Sequence, residues 1–202
     1  MSFEPDTELP ENLLKYLGSG KDALSIEKIP SLWQETQPLA QVAVFKKELK
    51  KDNFYSLFSP YAEKSSAVRR LLKDCHSVWL MISSLGTQLE HQAKKYRMEK
   101  QLFCGYILDR MGSYLVESAM RSLDKEITSE CNQKQQACTI RYSPGYQDFG
   151  LECQSVFVHL ARHELPFLKI KPNFQLVPEK TITAIKGIKD RQTIKKSNYH
   201  EF

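Results

Sequence analysis

The sequence predicts an α+β fold, with helices packed on a modest, mainly antiparallel twisted sheet, and three observations predict it. The run Ser77-Val-Trp-Leu-Met-Ile-Ser83 is short, apolar and bounded by polar residues, the pattern of a strand buried on both faces. Cys104, Leu108, Met111, Leu115 and Ala119 recur at spacings of four, three, four and four, which is one helical stripe facing a core. Asn173–Val177 and Thr181–Ile185 have strand composition and a short link through Pro178-Glu-Lys180, the pattern of an antiparallel pair. Strands and helices do not alternate in a β-α-β rhythm, so the helices are segregated from the sheet.

Taken along the chain, Pro10–Gly18 reads as a short helix with proline at its start and glycine at its C-cap. Gln41–Phe45 is compatible with a strand or a helical turn. After the 77–83 strand the chain turns through Ser84-Leu85-Gly86, and Thr87-Gln-Leu-Glu90 has the form of a capping box opening a helix. The next helix spans about Lys100 to Leu123. Within it Gly105, Gly112 and Ala119 lie seven apart, and each glycine costs about 1 kcal/mol relative to alanine. Close approach of another backbone would offset that cost. Thr139–Tyr142 reads as a short strand running into a loop, Ser143–Tyr146. A helix from about Gly150 to Glu164 follows, with Cys153, Val156, Phe157 and Leu160 as its buried stripe and Pro166 as its stop.

A chain of 202 residues suits one medium domain, or a core with a small addition. The reading is an N-terminal helical extension over 1–25, a core over 26–188 and a basic C-terminal tail over 189–202. Lys and Arg number 29 against 24 Asp and Glu. An excess of +5 does not point to nucleic acid. The run Lys46–Lys51 and the tail read as a solvated face and a mobile end, with a basic surface for an acidic partner as the alternative. Five cysteines, an odd count without a CxxC, point to reduced thiols, and the polar N-terminus lacks the apolar core of a signal peptide. With no run of about 18 apolar residues, these features imply a cytoplasmic protein that does not span a membrane.

The sequence contains no GxGxxG, P-loop, GxSxG or HExxH. His159 and His163 have the spacing of a metal pair but fall on the polar side of their helix, and Cys131 and Cys138 flank a loop without histidine. No metal site and no catalytic residue is assigned. The distinctive local feature is Arg141-Tyr-Ser-Pro-Gly-Tyr146. An arginine fork suits a carboxylate or phosphate. Pro144 fixes one torsion, Gly145 permits positive φ and close backbone approach, and Tyr146 offers a flat face with a polar tip. Together these residues suit a small zwitterion bearing an aromatic ring. The bland alternative is a Pro-Gly type II turn with a surface arginine and a packing tyrosine.

Arg141–Gln154 resembles the signature of the activation domain of cobalamin-dependent methionine synthase, and the resemblance is closest to stand-alone versions of that domain. Leu14–Gly18, Ser83–Gly86, Leu108–Gly112 with Val116-Glu117, and Val177–Ile185 are similar to further family segments in the same order. The resemblance implies a methionine synthase activation domain-like fold. It also implies a component that binds S-adenosylmethionine and supports reductive methylation of cob(II)alamin carried by a separate cobalamin-binding methionine synthase chain. A flavodoxin-type donor would supply the electron. On this reading the chain turns over nothing alone, and its contribution is positioning.

The residues implied for S-adenosylmethionine are Arg141, Ser143, Gly145 and Tyr146. Asp109, Glu117, Asp148 and Lys180 are candidates for a corrinoid or partner surface; a surface ion pair of Glu117 with Arg121 is the alternative for that residue. The sequence departs from the family at Ser84, Phe149 and Gly150, where threonine, tryptophan and proline are usual. Two other readings stay open: an interaction module that kept the fold without ligand binding, and a reactivation factor for another corrinoid methyltransferase.

Overall fold

The computed structural model describes residues 9–17 and 27–191. Gly18 and most of the C-terminal tail lie outside the described residues. In chain order the elements are α1 (Glu11–Leu17), α2 (Ile29–Leu39), β1 (Ala43–Lys50), α3 (Lys51–Phe58), α4 (Tyr61–Lys64), α5 (Ser66–Leu71), β2 (Ser77–Ser84), α6 (Gln88–Met98), α7 (Leu102–Gln133), β3 (Gln136–Cys138), a 3-10 turn (Leu151–Cys153), α8 (Gln154–Leu160), β4 (Lys169–Ile170), β5 (Leu176–Val177) and β6 (Thr181–Asp190). The fold is α+β, as the sequence predicts. Two compact units divide it: the described residues of 1–43 with 83–119 and 177–181, and 44–82 with 120–176 and the described residues of 182–202.

The first unit is helical. Leu13 and Leu17 bury one side of α1, and Ile29, Leu32 and Trp33 one side of α2. Tyr114 of α7 meets both helices edge-on, with ring centroids 5.5 Å from Tyr16 and 6.4 Å from Trp33. Arg110 lies 4.4 Å over the Tyr16 ring and donates to the Tyr16 carbonyl at 2.6 Å. The glycine stripe has the predicted cause, close approach of another backbone, at Gly105; at Gly112 the neighbours are the side chains of Leu89 and Lys180. A Cβ on Gly105 would stand 2.9 Å from the Ala93 carbonyl oxygen, and one on Gly112 would run into Leu89 Cδ2, so α6 packs where α7 lacks side chains.

The capping box does not form. Thr87 is helical in φ and ψ and makes no side-chain cap. The Glu90 carboxylate instead accepts the Lys180 N–H at 2.9 Å. The hairpin expected around Pro178–Lys180 is also absent, for a related reason. Lys180 spends its N–H on Glu90 and its carbonyl on the Leu85 N–H, leaving neither for a turn that would close the pair.

The second unit holds a four-stranded sheet in the order β1-β2-β6-β3, and β4 and β5 form a separate two-stranded sheet. β5 therefore pairs with β4, not with β6. Residues Ser77–Ser84 of β2 are all buried, as a central strand requires. Trp79 and Met81 of β2 and Ala184 and Ile188 of β6 pack against Met120, Leu123, Ile127 and Cys131 of α7. Leu123, Ile127 and Cys131 keep the four-residue spacing of Leu115 and Ala119, and this packing accompanies an α7 that ends ten residues beyond Leu123. A separate aromatic group joins Phe54 and Phe58, stacked at 4.6 Å, to Phe157, edge-on at 5.2 Å. Each of these three rings is fully buried and stabilises the fold by about 2–3 kcal/mol.

Gln41–Phe45 resolves toward strand: β1 starts at Ala43 and forms an edge of the sheet. Its lysines suit an edge, where charge opposes pairing with another chain. Lys46 is not simply solvated. It pairs with Glu126 at 2.7 Å and with Glu130, and lies 5.5 Å over the Trp79 ring.

The strand expected at Thr139–Tyr142 is displaced. β3 precedes it and pairs antiparallel with β6, Gln136 opposite Asp190 and Cys138 opposite Ile188, and pairing resumes only at Tyr142 opposite Ile185. Three residues thus face two, which is a bulge. Thr139 causes it: its N–H donates to the Gly187 carbonyl while its Oγ1 accepts the Gly187 N–H, both at 2.9 Å. Ile140 is left 75% exposed. The helix expected over 150–164 is shorter, a 3-10 turn running into α8. Its buried line is Cys153, Phe157 and Ala161, whereas Val156 and Leu160 are half-buried.

Candidate functional site

The segment Arg141–Phe149 leaves the sheet at the Tyr142–Ile185 bridge, where each N–H donates to the other carbonyl at 2.9 and 2.8 Å. Arg141 is half-buried beside that bridge. Ser143 is half-buried, Pro144 buried and Gly145 exposed. Gly145 has φ of 88°, the conformation that the Pro-Gly sequence predicts and that a Cβ would strain. Its N–H donates to the Phe149 carbonyl at 2.7 Å, and the Phe149 N–H donates to the Tyr146 carbonyl at 3.1 Å, so the loop closes on itself. Gln147, with φ of 50°, completes the reversal.

Two aromatic residues hold the loop from beneath. Phe149 is fully buried and stacks on Tyr142, with centroids 6.2 Å apart and planes 16° from parallel. The Tyr142 hydroxyl donates to the Tyr146 carbonyl at 2.9 Å. Burial and then the Asp148 carboxylate push the Tyr142 phenol above its ordinary range, so it remains a neutral donor at pH 7. The Tyr146 ring is 66% exposed and Leu151 42% exposed. A Cβ on Gly145 would come 2.9 Å from Leu151 Cδ2, so the glycine is needed here for space as well as for φ. The loop therefore presents a half-buried arginine, main chain near a glycine and an exposed aromatic face.

Asp148 is the strongest polar tether of this loop. Its Oδ1 accepts from the Ser65 hydroxyl at 2.6 Å and the Ala67 N–H at 3.3 Å, and its Oδ2 accepts from the Ser66 hydroxyl and N–H, both at 2.6 Å. The Ser65 and Ser66 hydroxyls hold the Asp148 carboxyl well below the usual carboxylate range. Ser65 and Ser66 escaped the sequence analysis, because nothing local marks residues that meet a partner 82 or 83 positions away.

The other surface candidates are engaged in different ways. In the first unit the Lys180 ammonium lies 3.0 Å from Asp109 and donates to the Ser113 hydroxyl at 2.9 Å, with 14% of its side chain exposed. Glu117 is half-buried on α7. Asp109, Glu117 and Lys180 belong to the first unit, whereas Asp148 and Arg141–Tyr146 belong to the second.

Three thiols are poor nucleophiles. Burial pushes Cys75 up, burial and then Cys131 push Cys138 to about 12, and burial and then Glu152 push Cys153 to about 12. His159 and His163 are exposed, and the guanidinium of Arg162 reaches both rings, 2.9 Å from His159 Nε2 and 3.2 Å from His163 Nε2. A cation so placed opposes a second one. Among the described residues no group of three His, Cys, Asp or Glu could hold a metal ion, and no helix is long and apolar enough to cross a membrane.

No protein-family model matches the sequence. No curated protein matches it either. Among solved structures, the chain is similar to the crystal structure of the MetH reactivation domain bound to AdoHcy, at 10% identity, over 86% of this chain and 68% of that chain, with a TM-score of 0.45.

Proposed function

We propose that the chain binds S-adenosylmethionine on the Arg141–Tyr146 loop and serves reactivation of a cobalamin carried by a separate methionine synthase chain. The observation that carries this reading is the loop itself. The sequence motif that resembles the methionine synthase activation domain forms a closed, aromatic-braced turn, with Gly145 at φ of 88° and the Tyr146 face exposed. These residue types fit the ligand. Arg141 supplies a planar fork for a carboxylate. Main chain from half-buried Ser143 to exposed Gly145 runs through the same turn, and Tyr146 supplies a face for the adenine or the sulfonium methyl region.

S-adenosylmethionine, when bound, supplies a methyl group to the partner's cobalamin, with the electron coming from a flavodoxin-type donor. The chain's own work is binding and orientation in the cytoplasm, and no residue of it acts as nucleophile. Asp109, Glu117 and Lys180 lie on a second candidate surface for the corrinoid-carrying chain. An open, mostly exposed loop buries little of a ligand, so affinity in the micromolar range or weaker is expected.

Isothermal titration with S-adenosylmethionine, alone and with a cobalamin-bearing methionine synthase chain, tests the reading. Saturable heat supports it; none up to millimolar ligand in either setting would leave the chain an interaction module without a ligand. Reactivation of a different corrinoid methyltransferase, but not of methionine synthase, would move the partner and keep the ligand.

A further inference from the structure

The tether between Asp148 and the start of α5 joins a loop that offers ligand groups to a segment that offers none. Ser65 is fully buried, and its hydroxyl serves both ends at once: it donates to Asp148 and accepts the Val68 N–H at 3.1 Å as the cap of α5. Asp148 thus completes a helix cap from outside the helix, and α5 in return fixes residue 148 by four donors. Phe149, the next residue, is the loop's buried anchor, and its carbonyl receives the Gly145 N–H. A displacement at 148 is therefore transmitted to the residue that shapes the turn at Gly145. The Tyr142 phenol feels both the Asp148 carboxylate and Arg70 of α5.

We propose that Asp148 is a positioning residue: through Ser65 and Ser66 it holds the Arg141–Tyr146 loop in its ligand-ready shape, and it touches neither ligand nor partner. The inference rests on the S-adenosylmethionine reading, but it has a separate readout. Preorganisation of this kind raises affinity by removing the cost of ordering the loop on binding.

The test uses Asp148→Ala, Ser66→Ala and the double variant in the full chain, with Asp148→Asn as a milder change that keeps one acceptor. Amide hydrogen exchange at Gly145 and Phe149 is read without ligand, and S-adenosylmethionine affinity by titration. Circular dichroism checks that each variant is folded.

The expected result is faster exchange at both amides in each single variant, with affinity about tenfold weaker in Asp148→Ala and less reduced in Ser66→Ala, which leaves three of the four donors. The double variant should be no worse than Asp148→Ala, because both changes cut one link. Asp148→Asn should fall between. Unchanged exchange in Asp148→Ala would overturn the proposal. So would a loss of affinity in Asp148→Ala with exchange at Gly145 and Phe149 no faster than in Ser66→Ala, since that pattern marks a direct ligand contact. If the unmutated chain binds no S-adenosylmethionine, the ligand reading fails, and the exchange arm alone still decides whether Asp148 holds the loop.

Discussion

Lys186 Nζ lies 2.7 Å from Asp124 Oδ1, with 5% of the lysine side chain exposed. The same ammonium donates to Thr128 Oγ1 at 2.7 Å, so β6 carries a buried cation matched by one turn of α7. Removing the anion strands that cation, and Asp124→Ala should cost about 3 kcal/mol in urea unfolding. Lys186→Met should cost less than half as much, because Asp124 keeps 30% of its side chain in water and can be solvated. The reverse ordering of the two variants would show that the lysine stem, not the charge match, matters here.

Two glycines of α7 should respond differently to alanine, although alanine favours a helix by about 1 kcal/mol at both. At Gly105 the new Cβ would meet the Ala93 carbonyl at 2.9 Å, and backbone cannot turn aside. At Gly112 it would meet Leu89 Cδ2, a methyl that a rotamer change can move. Gly105→Ala should therefore destabilise by about 1–3 kcal/mol, and Gly112→Ala by distinctly less. Thermal unfolding of both variants checks this, and equal losses would contradict it.

The Asp148 tether has a pH signature. Its folded carboxyl is held down by the Ser65 and Ser66 hydroxyls, so the ionised form stabilises the fold above the unfolded value of about 3.9. That contribution is lost only as the pH falls through the lower, folded value. Tyr142, pushed above its ordinary range, stays neutral across this interval. The difference in melting temperature between the unmutated chain and Asp148→Asn should thus be undiminished from pH 7 to pH 5 and still measurable near pH 3. Its disappearance by pH 5 would mean that the carboxylate is not held as described.

Several parts of this structure were legible in the sequence because they are local or periodic. The unbroken apolar run fixed β2, spacings of three and four gave the inner face of α7, and Gly105 and Gly112 announced the approach of α6. What failed depends on distant partners. Glu90 reads as half of a capping box, but it is taken by the N–H of Lys180, 90 positions on. The same capture removes the expected hairpin. Thr139 reads as a strand residue, yet its hydroxyl replaces a ladder bond and makes the bulge. At the candidate site, Arg141, Gly145 and Tyr146 are recognisable from residue chemistry, and Gly145 adopts the positive φ that its place after Pro144 suggests. Ser65 and Ser66 carry no such mark.

The central claim is that Arg141–Tyr146 binds S-adenosylmethionine. One calorimetric titration of the unmutated chain beside Arg141→Ala and Arg141→Lys, with melting temperatures taken on the same samples, tests it most directly. Charge-assisted bonds of about 1.5–3 kcal/mol predict saturable binding that Arg141→Ala weakens by roughly tenfold to a few hundredfold. Arg141→Lys should restore part of it, since a point charge cannot reproduce the fork. Lowered melting temperatures with unchanged affinity, or no saturable binding by the unmutated chain, would contradict the account.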